Sequence, residues 1–163
     1  MHGGGQERDI RSGTIDSPAI AGLAAAVELS VKQQADHAVR VSALRDDLVA
    51  RIRAAVPDVV LNGDPVDRLP GNAHLTFPGC EGDSLLMLLD ARGIECSTGS
   101  ACSAGVPQAS HVLLAMGCSE SDARGSLRFS LGHTSTDADV DAVVAAIGPV
   151  VERARNAGQR RLG

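Results

Sequence analysis

The sequence predicts an α/β fold, more narrowly a small α+β domain that follows a long helix. Candidate strands alternate with candidate helices after residue 57, which is typical of such domains. Before residue 57, apolar residues recur every three, four or seven positions, as they do on one face of a helix. The 163 residues suffice to bury one core, and this core must be aliphatic because Trp and Tyr are absent and only two Phe are present.

Charge and composition narrow the class of partners and the compartment. The net charge is −5 and basic residues cluster only in the C-terminal tail, which does not favour a nucleic-acid partner. No apolar run approaches the roughly 20 residues that span a bilayer, and the N-terminus lacks the apolar core of a signal peptide. We therefore expect a cytoplasmic protein without direct nucleic-acid or membrane contacts.

The first fourteen residues differ in composition from the rest of the chain. Three consecutive glycines precede Arg8, Arg11 and the triplet Ser12-Gly13-Thr14. A glycine-rich backbone with Arg, Ser and Thr can hold a phosphate through amide and hydroxyl donors, although a Ser-Gly-Thr triplet alone is more typical of a turn.

A long helix is predicted next. Asp16-Ser17-Pro18 is a helix start, with a capping side chain and a proline in the first turn, and Pro57 ends the helix. Continued to Val56, it would extend roughly 55 Å, so it either breaks near Asp36-His37 or bridges two bodies. Its periodic apolar positions are Ile20, Leu23, Val27, Val31, Ala38, Val41, Leu44, Leu48 and Ile52.

Short strands and helices are predicted after Pro57 from alternation, helical spacing and capping residues. In chain order they are a strand at 59–61, a strand at 73–77, a helix capped by Asp83 or Ser84 and stopped at Gly93, a strand at 93–95, a helix at 107–116, a helix start at 119–122, a strand at 127–131, and a last helix that follows Ser135 or Thr136 and leads to a frayed basic tail. His74 is interpreted as a solvent-facing strand residue because no partner lies near it in sequence, and a lone Arg128 as a solvated surface arginine.

Cys102 lies in a stretch, Glu95 to Gly105, that consists almost entirely of small residues. A thiol between two rigid elements on such a loop can move to a reactant, whereas composition alone favours a Ser/Gly-rich turn with an incidental cysteine. The other cysteines, Cys80, Cys96 and Cys118, form no CxxC pair, and a disulfide framework is not expected in a reducing compartment. We interpret the four as one reactive thiol and three bystanders.

Three separate stretches carry a family resemblance and together cover nearly the whole chain. They are His2-Gly3-Gly4-Gly5-Gln6-Glu7-Arg8 with Arg11-Ser12-Gly13-Thr14, then Thr98-Gly99-Ser100-Ala101-Cys102-Ser103 with Ser110-His111-Val112-Leu113 and Ala115-Met116-Gly117, and finally Ser126-Leu127-Arg128-Phe129-Ser130-Leu131-Gly132. In this order they resemble segments of the cysteine desulfurases, NifS-like class V aminotransferases that use pyridoxal phosphate (PLP).

The resemblance implies the C-terminal part of a fold type I PLP-dependent transferase. Residues 1–16 would be a phosphate and dimer-interface segment of the cofactor domain, 17–57 a long linking helix, and 58–163 a small C-terminal domain with the cysteine loop. The resemblance also implies a homodimer in which the two subunits share their active sites. By resemblance, Thr14 bonds the PLP phosphate of the partner subunit and Arg128 forms a bidentate fork with the α-carboxylate of L-cysteine.

The implied reaction removes sulfur from L-cysteine to give L-alanine. By resemblance, Cys102 attacks the substrate sulfur, becomes a persulfide and passes the sulfur to an acceptor such as an Fe–S scaffold or a tRNA thiolation enzyme. A transient metal contact of Cys102 with an Fe–S cluster belongs to the same expectation. Thr98 stands where the family's loop pattern begins with serine, a minor departure.

A larger departure is that Lys32 is the only lysine and lies inside the predicted long helix. The family's Ser-x-His-Lys segment, the histidine over the cofactor ring and the acid that pairs with the pyridine nitrogen are absent. This polypeptide alone is therefore expected to be inactive and to form no Schiff base with PLP. We also expect it to expose apolar side chains on the helix from Ile20 to Val31 and around residues 1–14, because these would otherwise pack on a cofactor domain.

Two hypotheses from different classes remain open, with a third, remote one. The chain is part of a working cysteine desulfurase whose PLP half lies elsewhere, or it is a truncated non-catalytic module that binds a desulfurase subunit or a sulfur acceptor. The third hypothesis is an esterase-like hydrolase: residues 2–5 resemble an oxyanion-hole segment, residues 101–105 a nucleophile elbow, and Asp122 and His133 follow in order. Too little chain separates these parts for the long parallel sheet that an elbow needs.

Overall fold

The computed structural model describes residues 3–98 and 109–159, which form two compact units, Met1–Asp36 and His37–Gly163. After a short 3-10 turn, Glu7–Asp9, the elements are α1 Ser17–Ala55, β1 Val60–Leu61, β2 Asn72–Thr76, α2 Gly82–Asp90, α3 His111–Ala115, α4 Glu120–Arg124, β3 Ser126–Ser130 and α5 Asp137–Gln159. The first half of α1 belongs to the first unit and its second half to the other. The predicted division at residues 16 and 57 stays a prediction.

The unit Met1–Asp36 contains the N-terminal coil and the first half of α1. Gly13 has a φ of 96°, a left-handed conformation that side chains rarely adopt, and its amide donates to Gln6 Oε1 at 3.1 Å. Asp16 Oδ1 accepts from the Ala19 amide at 3.1 Å, so the predicted helix start is confirmed. The expected apolar exposure is confirmed as well, at Ile10, Ile20, Leu23, Val27 and Val31.

The unit His37–Gly163 is built on a three-stranded antiparallel sheet in the order β1-β2-β3. Because side chains alternate across a strand, one face of the sheet is apolar and the other polar. The apolar face packs with the second half of α1, with α2 and with α5, which lies against α2. The fully buried residues of this core, from the sheet and from the three helices, include Ala73, Leu75, Phe77, Leu127, Leu48, Ile52, Leu85, Leu89, Ile147 and Val150. The aliphatic core is therefore as predicted.

Two glycines let α2, α4 and the sheet approach closely. A Cβ at Gly82 would lie 2.7 Å from the Arg124 carbonyl oxygen, and one at Gly125 would lie 2.8 Å from that of Cys80. Both contacts are shorter than real Cβ atoms show, so only glycine fits. The same packing brings the Thr98 methyl to 3.1 Å from the Gly82 Cβ position, which fixes where the cysteine segment leaves the sheet.

Several predicted boundaries are wrong for local reasons. Glu81 is the N-cap of α2 rather than Asp83 or Ser84, which lie inside its first turn. Residues 93–95 form no strand, because Gly93 turns the chain at a φ of 74° and pairing resumes only at Ser97. The helix predicted from Pro107 begins at His111, since residues 109 and 110 are not helical.

The predicted helix starts after the cysteine segment are largely confirmed. Ser119 Oγ accepts from the Asp122 amide at 3.1 Å and opens α4. The expected fraying of the tail is wrong at Arg155, which lies within α5 and pairs with Asp58 at 2.6 Å. Arg160 and Arg161 lie outside the described residues. Among the described helices, none combines the length and apolarity that crossing a membrane requires.

Candidate functional site

A row of four polar residues crosses the polar face of the sheet. The Asn62 amide donates to the His74 carbonyl at 2.9 Å, His74 is the register partner of Arg128, and Arg128 is the bridge partner of Ser97. Residues directly opposite one another in antiparallel strands have side chains on the same face. The sheet therefore brings Asn62, His74, Arg128 and Ser97 into one line.

Arg128 is tied by its backbone to the start of the cysteine segment. Ser97 donates to the Arg128 carbonyl at 3.0 Å, and Arg128 donates to the Ser97 carbonyl at 2.7 Å. Since both backbone groups of Arg128 point towards Ser97, its pair with His74 is the non-hydrogen-bonded kind, whose Cα atoms lie about 4.5 Å apart with the side chains close together. The imidazole and the guanidinium are therefore direct neighbours.

A chain of hydrogen bonds with a fixed direction ends on His74. Ser126 Oγ donates to the Asp122 carbonyl at 2.9 Å, and the distance between Thr76 Oγ1 and Ser126 Oγ is 2.7 Å. Asn62 Nδ2 donates to Thr76 Oγ1 at 2.8 Å and lies 2.9 Å from His74 Nδ1. Because a carbonyl can only accept, the Thr76 hydroxyl donates to Ser126, and both Nδ2 hydrogens of Asn62 are used as donors.

His74 accordingly accepts at Nδ1 and carries its proton on Nε2. Burial lowers the pKa of His74, and the positive charges of Arg128 and Arg68 lower it further. The interpretation of His74 as a solvent-facing residue is wrong: the residue is half-buried and has partners that lie far away in sequence.

Asn62, His74 and Arg128 line a cavity of about 450 Å³. The Arg128 guanidinium makes no hydrogen bond or ion pair with any residue in the described ranges, and it is exposed. Arg68 donates to the backbone carbonyls of Asn72, Asp64 and Asn62 at 3.1–3.3 Å. The lining comprises Asn62, Gly63, Asp64, Asp67, Arg68, Leu69, Asn72, His74, Ser110, Val112, Leu113, Met116 and Arg128.

The charges in this cavity favour an anion near Arg128. Asp64 is already engaged, since its Oδ1 accepts from the amides of Val66 and Asp67, each at 2.7 Å, and these bonds lower its pKa. No described residue uses any of the five guanidinium donors of Arg128, which suits a carboxylate bound by two of them. Asn72 also belongs to the lining, but its Oδ1 is fully enclosed without a partner among the described residues, so it is a buried unsatisfied acceptor rather than one offered to a ligand.

Cys102 lies outside the residues that the structure describes, but both flanks of its segment adjoin this cavity. Ser97 pairs with Arg128 on one side, and Ser110, Val112 and Leu113 line the cavity on the other. The five-residue spacing from Ser97 to Cys102 corresponds to at most about 18 Å of extended chain. The predicted mobility of the Cys102 loop stays a prediction.

The three described cysteines are buried or half-buried. Cys80 is 5% exposed, its Sγ lies 3.9 Å from the Val151 carbonyl, and burial raises its pKa. Burial and then the charge of Asp90 raise the pKa of Cys96 to about 11. Cys118 is half-buried, and all three are free thiols. Their role as bystanders to Cys102 stays a prediction.

The first unit carries the predicted phosphate residue. Thr14 is exposed and follows the left-handed Gly13, while Arg11 Nη1 already donates to the carbonyls of Ser12 and Gly13 at 3.2 and 3.4 Å. Lys32, the only lysine in the sequence, is exposed on α1. A Schiff-base lysine must be enclosed with groups that bind the cofactor ring and phosphate, so the described residues do not by themselves fit PLP.

Metal binding and esterase chemistry find no support in the described ranges. No group of three or more His, Cys, Asp or Glu side chains there is arranged to hold a metal ion, and the predicted Fe–S contact of Cys102 lies outside them. The sheet is antiparallel, Asp122 is occupied in capping α4, and His133 is exposed. The frame that a nucleophile elbow needs is therefore missing.

The chain matches the aminotransferase class-V family pattern over residues 3–143. It is 59% identical, over 165 aligned residues, to an IscS-like cysteine desulfurase of Mycobacterium tuberculosis, covering 100% of this chain and 42% of that protein. It is 40% identical over 156 residues to the cysteine desulfurase NifS of Azotobacter vinelandii, covering 96% of this chain and 39% of that protein.

Solved structures agree with the sequence comparison. A NifS-like protein from Rickettsia africae superposes with a TM-score of 0.80 at 32% identity, covering 93% of this chain and 39% of that one. The chain thus spans about two fifths of the length of these relatives.

The helices, the small antiparallel sheet and the arginine-lined cavity define a part of a fold type I PLP-dependent transferase. The chain belongs to the aminotransferase class-V family.

His74 and Asn62 are the site residues that sequence reasoning missed. The alternation of residues 73–77 marked His74 as lying on the polar face, and residues 127–131 marked Arg128 likewise. The missing information was that these two strands are neighbours in this register, which no local pattern reveals. One signal for this site was present in the sequence: the polar side of each of these two predicted strands carries one isolated basic residue, His74 or Arg128.

Proposed function

We propose that this chain is the part of a cysteine desulfurase that binds the substrate carboxylate and carries the sulfur-accepting thiol. The observation that supports this proposal most is the Arg128 guanidinium beside Ser97, which has no partner among the described residues and lies where the segment with Cys102 leaves the sheet. A carboxylate receptor and a nucleophile are thereby attached to the same strand pair. Relatives named cysteine desulfurase at 59% and 40% identity support the same activity.

In the proposed reaction, Arg128 forms a two-pronged fork with the α-carboxylate of L-cysteine. The Cys102 thiolate forms an S–S bond with the substrate sulfur while the carbon–sulfur bond of the substrate breaks. The products are L-alanine, which gains a proton at the carbon that lost sulfur, and a persulfide on Cys102. Cys102 then hands that sulfur to an acceptor, for which we infer an Fe–S scaffold or a tRNA thiolation enzyme.

The cofactor of this proposal is PLP, which supplies the electron sink for breaking the carbon–sulfur bond. Its lysine must come from outside this chain, because Lys32 is exposed. Thr14 is the residue proposed to bond the PLP phosphate of a partner subunit in a homodimer. Its support is an exposed hydroxyl next to the left-handed Gly13. We propose a cytoplasmic location, in keeping with the free thiols of Cys80, Cys96 and Cys118.

The decisive test joins this chain to the preceding part of the M. tuberculosis relative, to which it is 59% identical. The chimaera is expected to release L-alanine from L-cysteine and to gain one sulfur atom on Cys102, read by peptide mass spectrometry. Cys102→Ser should abolish the persulfide but leave PLP absorbance and L-cysteine binding unchanged, and Cys118→Ser serves as the matched control. A persulfide on Cys80, Cys96 or Cys118 in its place would overturn the assignment.

The alternative function is a non-catalytic module that binds a desulfurase subunit or a sulfur acceptor. The exposed apolar side chains of α1 from Ile20 to Val31 favour it, because such a surface needs a partner. The 163-residue chain alone is expected to show no desulfurase activity and no PLP on Lys32 after borohydride reduction. A chimaera that binds PLP and L-cysteine yet never forms the persulfide would favour the module.

A further inference from the structure

We propose that His74 is a second carboxylate-binding residue of this site, which donates from Nε2–H beside the Arg128 guanidinium to the carboxylate of an amino-acid ligand. This inference rests on the proposed function for the identity of the ligand but on the structure for the geometry. It assigns a role in recognition to a residue that composition and alternation left as surface.

The first step is the tautomer, which is set from a distance. The Asp122 carbonyl can only accept, so the bonds through Ser126, Thr76 and Asn62 run in one direction and end with an amide hydrogen aimed at His74 Nδ1. A flipped Asn62 amide would leave its oxygen facing the Thr76 hydroxyl, which Ser126 already uses. His74 must therefore hold its proton on Nε2.

The second step is the availability of that proton. His74 lines the cavity together with Arg128, and Nε2 has no hydrogen-bond partner in the part of the chain that the structure describes. The only fully enclosed unpartnered side-chain atom among the described residues is Asn72 Oδ1, so Nε2 is not sealed inside the core. A neutral N–H donor is thus open at the cavity, directly across the strand pair from a guanidinium that has no partner in the described ranges.

The third step is charge. Two cations, Arg128 and Arg68, act on His74 and disfavour a third positive charge there. A neutral imidazole adds a donor without adding repulsion, and a carboxylate has lone pairs left after Arg128 takes two of them. The carboxylate is the ligand chemistry that suits all three groups at once.

The test uses the 163-residue chain and two small probes, L-alanine and ethylamine, which differ only in the carboxylate. Ring ¹⁵N shifts of His74 are expected to show the Nε2–H tautomer in the free chain. L-alanine should shift Nε2 and the Arg128 guanidinium signals in a saturable way, whereas ethylamine should not. An Nδ1–H tautomer, or equal responses to both probes, would contradict the proposal.

Three substitutions separate recognition from structure. His74→Gln keeps a donor near the Nε2 position, His74→Asn keeps only a partner for Asn62 near the Nδ1 position, and His74→Leu keeps neither. His74→Gln should bind L-alanine nearly as wild type does, while His74→Asn and His74→Leu weaken binding at least roughly tenfold, as expected for a lost hydrogen bond to a charged group. If His74→Asn binds as wild type does and His74→Gln does not, His74 acts only through Asn62 and the proposal fails.

Two controls keep the outcomes distinct. Thermal unfolding monitors folding, and if His74→Leu does not fold, the comparison of His74→Gln with His74→Asn still decides. Persulfide formation on Cys102 in the chimaera is read separately, so a chain that binds L-alanine through His74 but never yields a persulfide refutes the proposed function and not this inference. Persulfide formation that is indifferent to all three His74 variants, with no L-alanine binding by the chain, refutes the inference alone.

Discussion

Competitive alkylation of the thiols is a sharp test of which cysteine is the nucleophile. The perturbation is a brief pulse of trace iodoacetamide on the 163-residue chain at two pH values. Burial and Asp90 raise the pKa of Cys96 to about 11, while an exposed thiol such as the one expected at Cys102 titrates near 8.5. At pH 8, roughly one quarter of the Cys102 thiol and roughly 0.1% of Cys96 would be thiolate, a ratio of about 240.

Intrinsic nucleophilicity offsets part of this difference. The nucleophilicity of a thiolate rises with its pKa, with a Brønsted coefficient of about 0.45. The Cys96 thiolate would therefore be roughly 13-fold more reactive than the Cys102 thiolate. Cys96 should thus react roughly 20-fold more slowly than Cys102 at pH 8, before any steric protection is counted. Cys80 should be slowest because its side chain is buried, and half-buried Cys118 should be intermediate.

The pH dependence separates the pKa effect from steric shielding. At pH 10 the thiolate ratio of Cys102 to Cys96 falls to about 11, so their rate ratio should narrow about 20-fold between the two pH values. Peptide mass spectrometry measures each rate, and the chain unfolded in urea, in which the four thiols should react alike, is the control. A constant ratio would show that shielding alone slows Cys96, and alkylation of Cys96 before Cys102 at pH 8 would refute the nucleophile assignment.

Three further predictions follow from the polar face of the sheet. In the chimaera, Arg128→Ala should raise KM for L-cysteine roughly 10- to 100-fold by losing a charge-assisted fork, and Arg128→Lys should rescue it poorly; steady-state kinetics at unchanged PLP content measure both. Because the folded-state pKa of His74 is lowered, the chain should be stable above pH about 6.5 and lose stability as the pH falls towards that lowered pKa. Arg128→Ala should shrink this acid loss in urea unfolding, and an unchanged loss would show that Arg128 does not act on His74. Ser126→Ala should destabilise the chain by about 1–3 kcal/mol because the buried Thr76 hydroxyl loses its acceptor, whereas the matched Ser130→Ala, on the exposed end of the same strand, should cost little in the same assay.

Elements set by neighbouring residues could be predicted from the sequence. Asp16 begins α1 and Pro57 ends it, and Ser119 begins α4, because capping and the loss of a proline amide act within a few residues. Alternation likewise identified the apolar sides of β2 and β3. The small residues around Cys102 marked it as a candidate thiol, and the family resemblance decided for it and added a role for Arg128, which no local pattern supplied.

The pairing of the strands could not be predicted, and the site depends on it. The register His74 opposite Arg128 joins residues far apart in sequence, and its free energy comes from the whole apolar face that packs beneath it. The bridge at Ser97 was missed for the same reason: residues 93–95 have strand-like composition, but pairing begins only beyond the Gly93 turn. Long-range pairing is decided by the core, not by the residues that the site uses.

The polar face shows why a buried hydrogen-bond chain is tolerated beneath a binding cavity. Ser126 and Thr76 are 1% and 2% exposed, positions at which an unsatisfied hydroxyl would cost on the order of 1–3 kcal/mol. Both hydroxyls are satisfied only if the hydrogen bonds are donated in sequence from Asn62 through Thr76 and Ser126 to the Asp122 carbonyl. The hydrogen bonds that stabilise the fold therefore also set the orientation of the Asn62 amide. That amide in turn sets which nitrogen of His74 carries the proton. The Asp122 carbonyl in α4 thereby fixes, through folding alone, the hydrogen-bond donor that His74 presents beside Arg128.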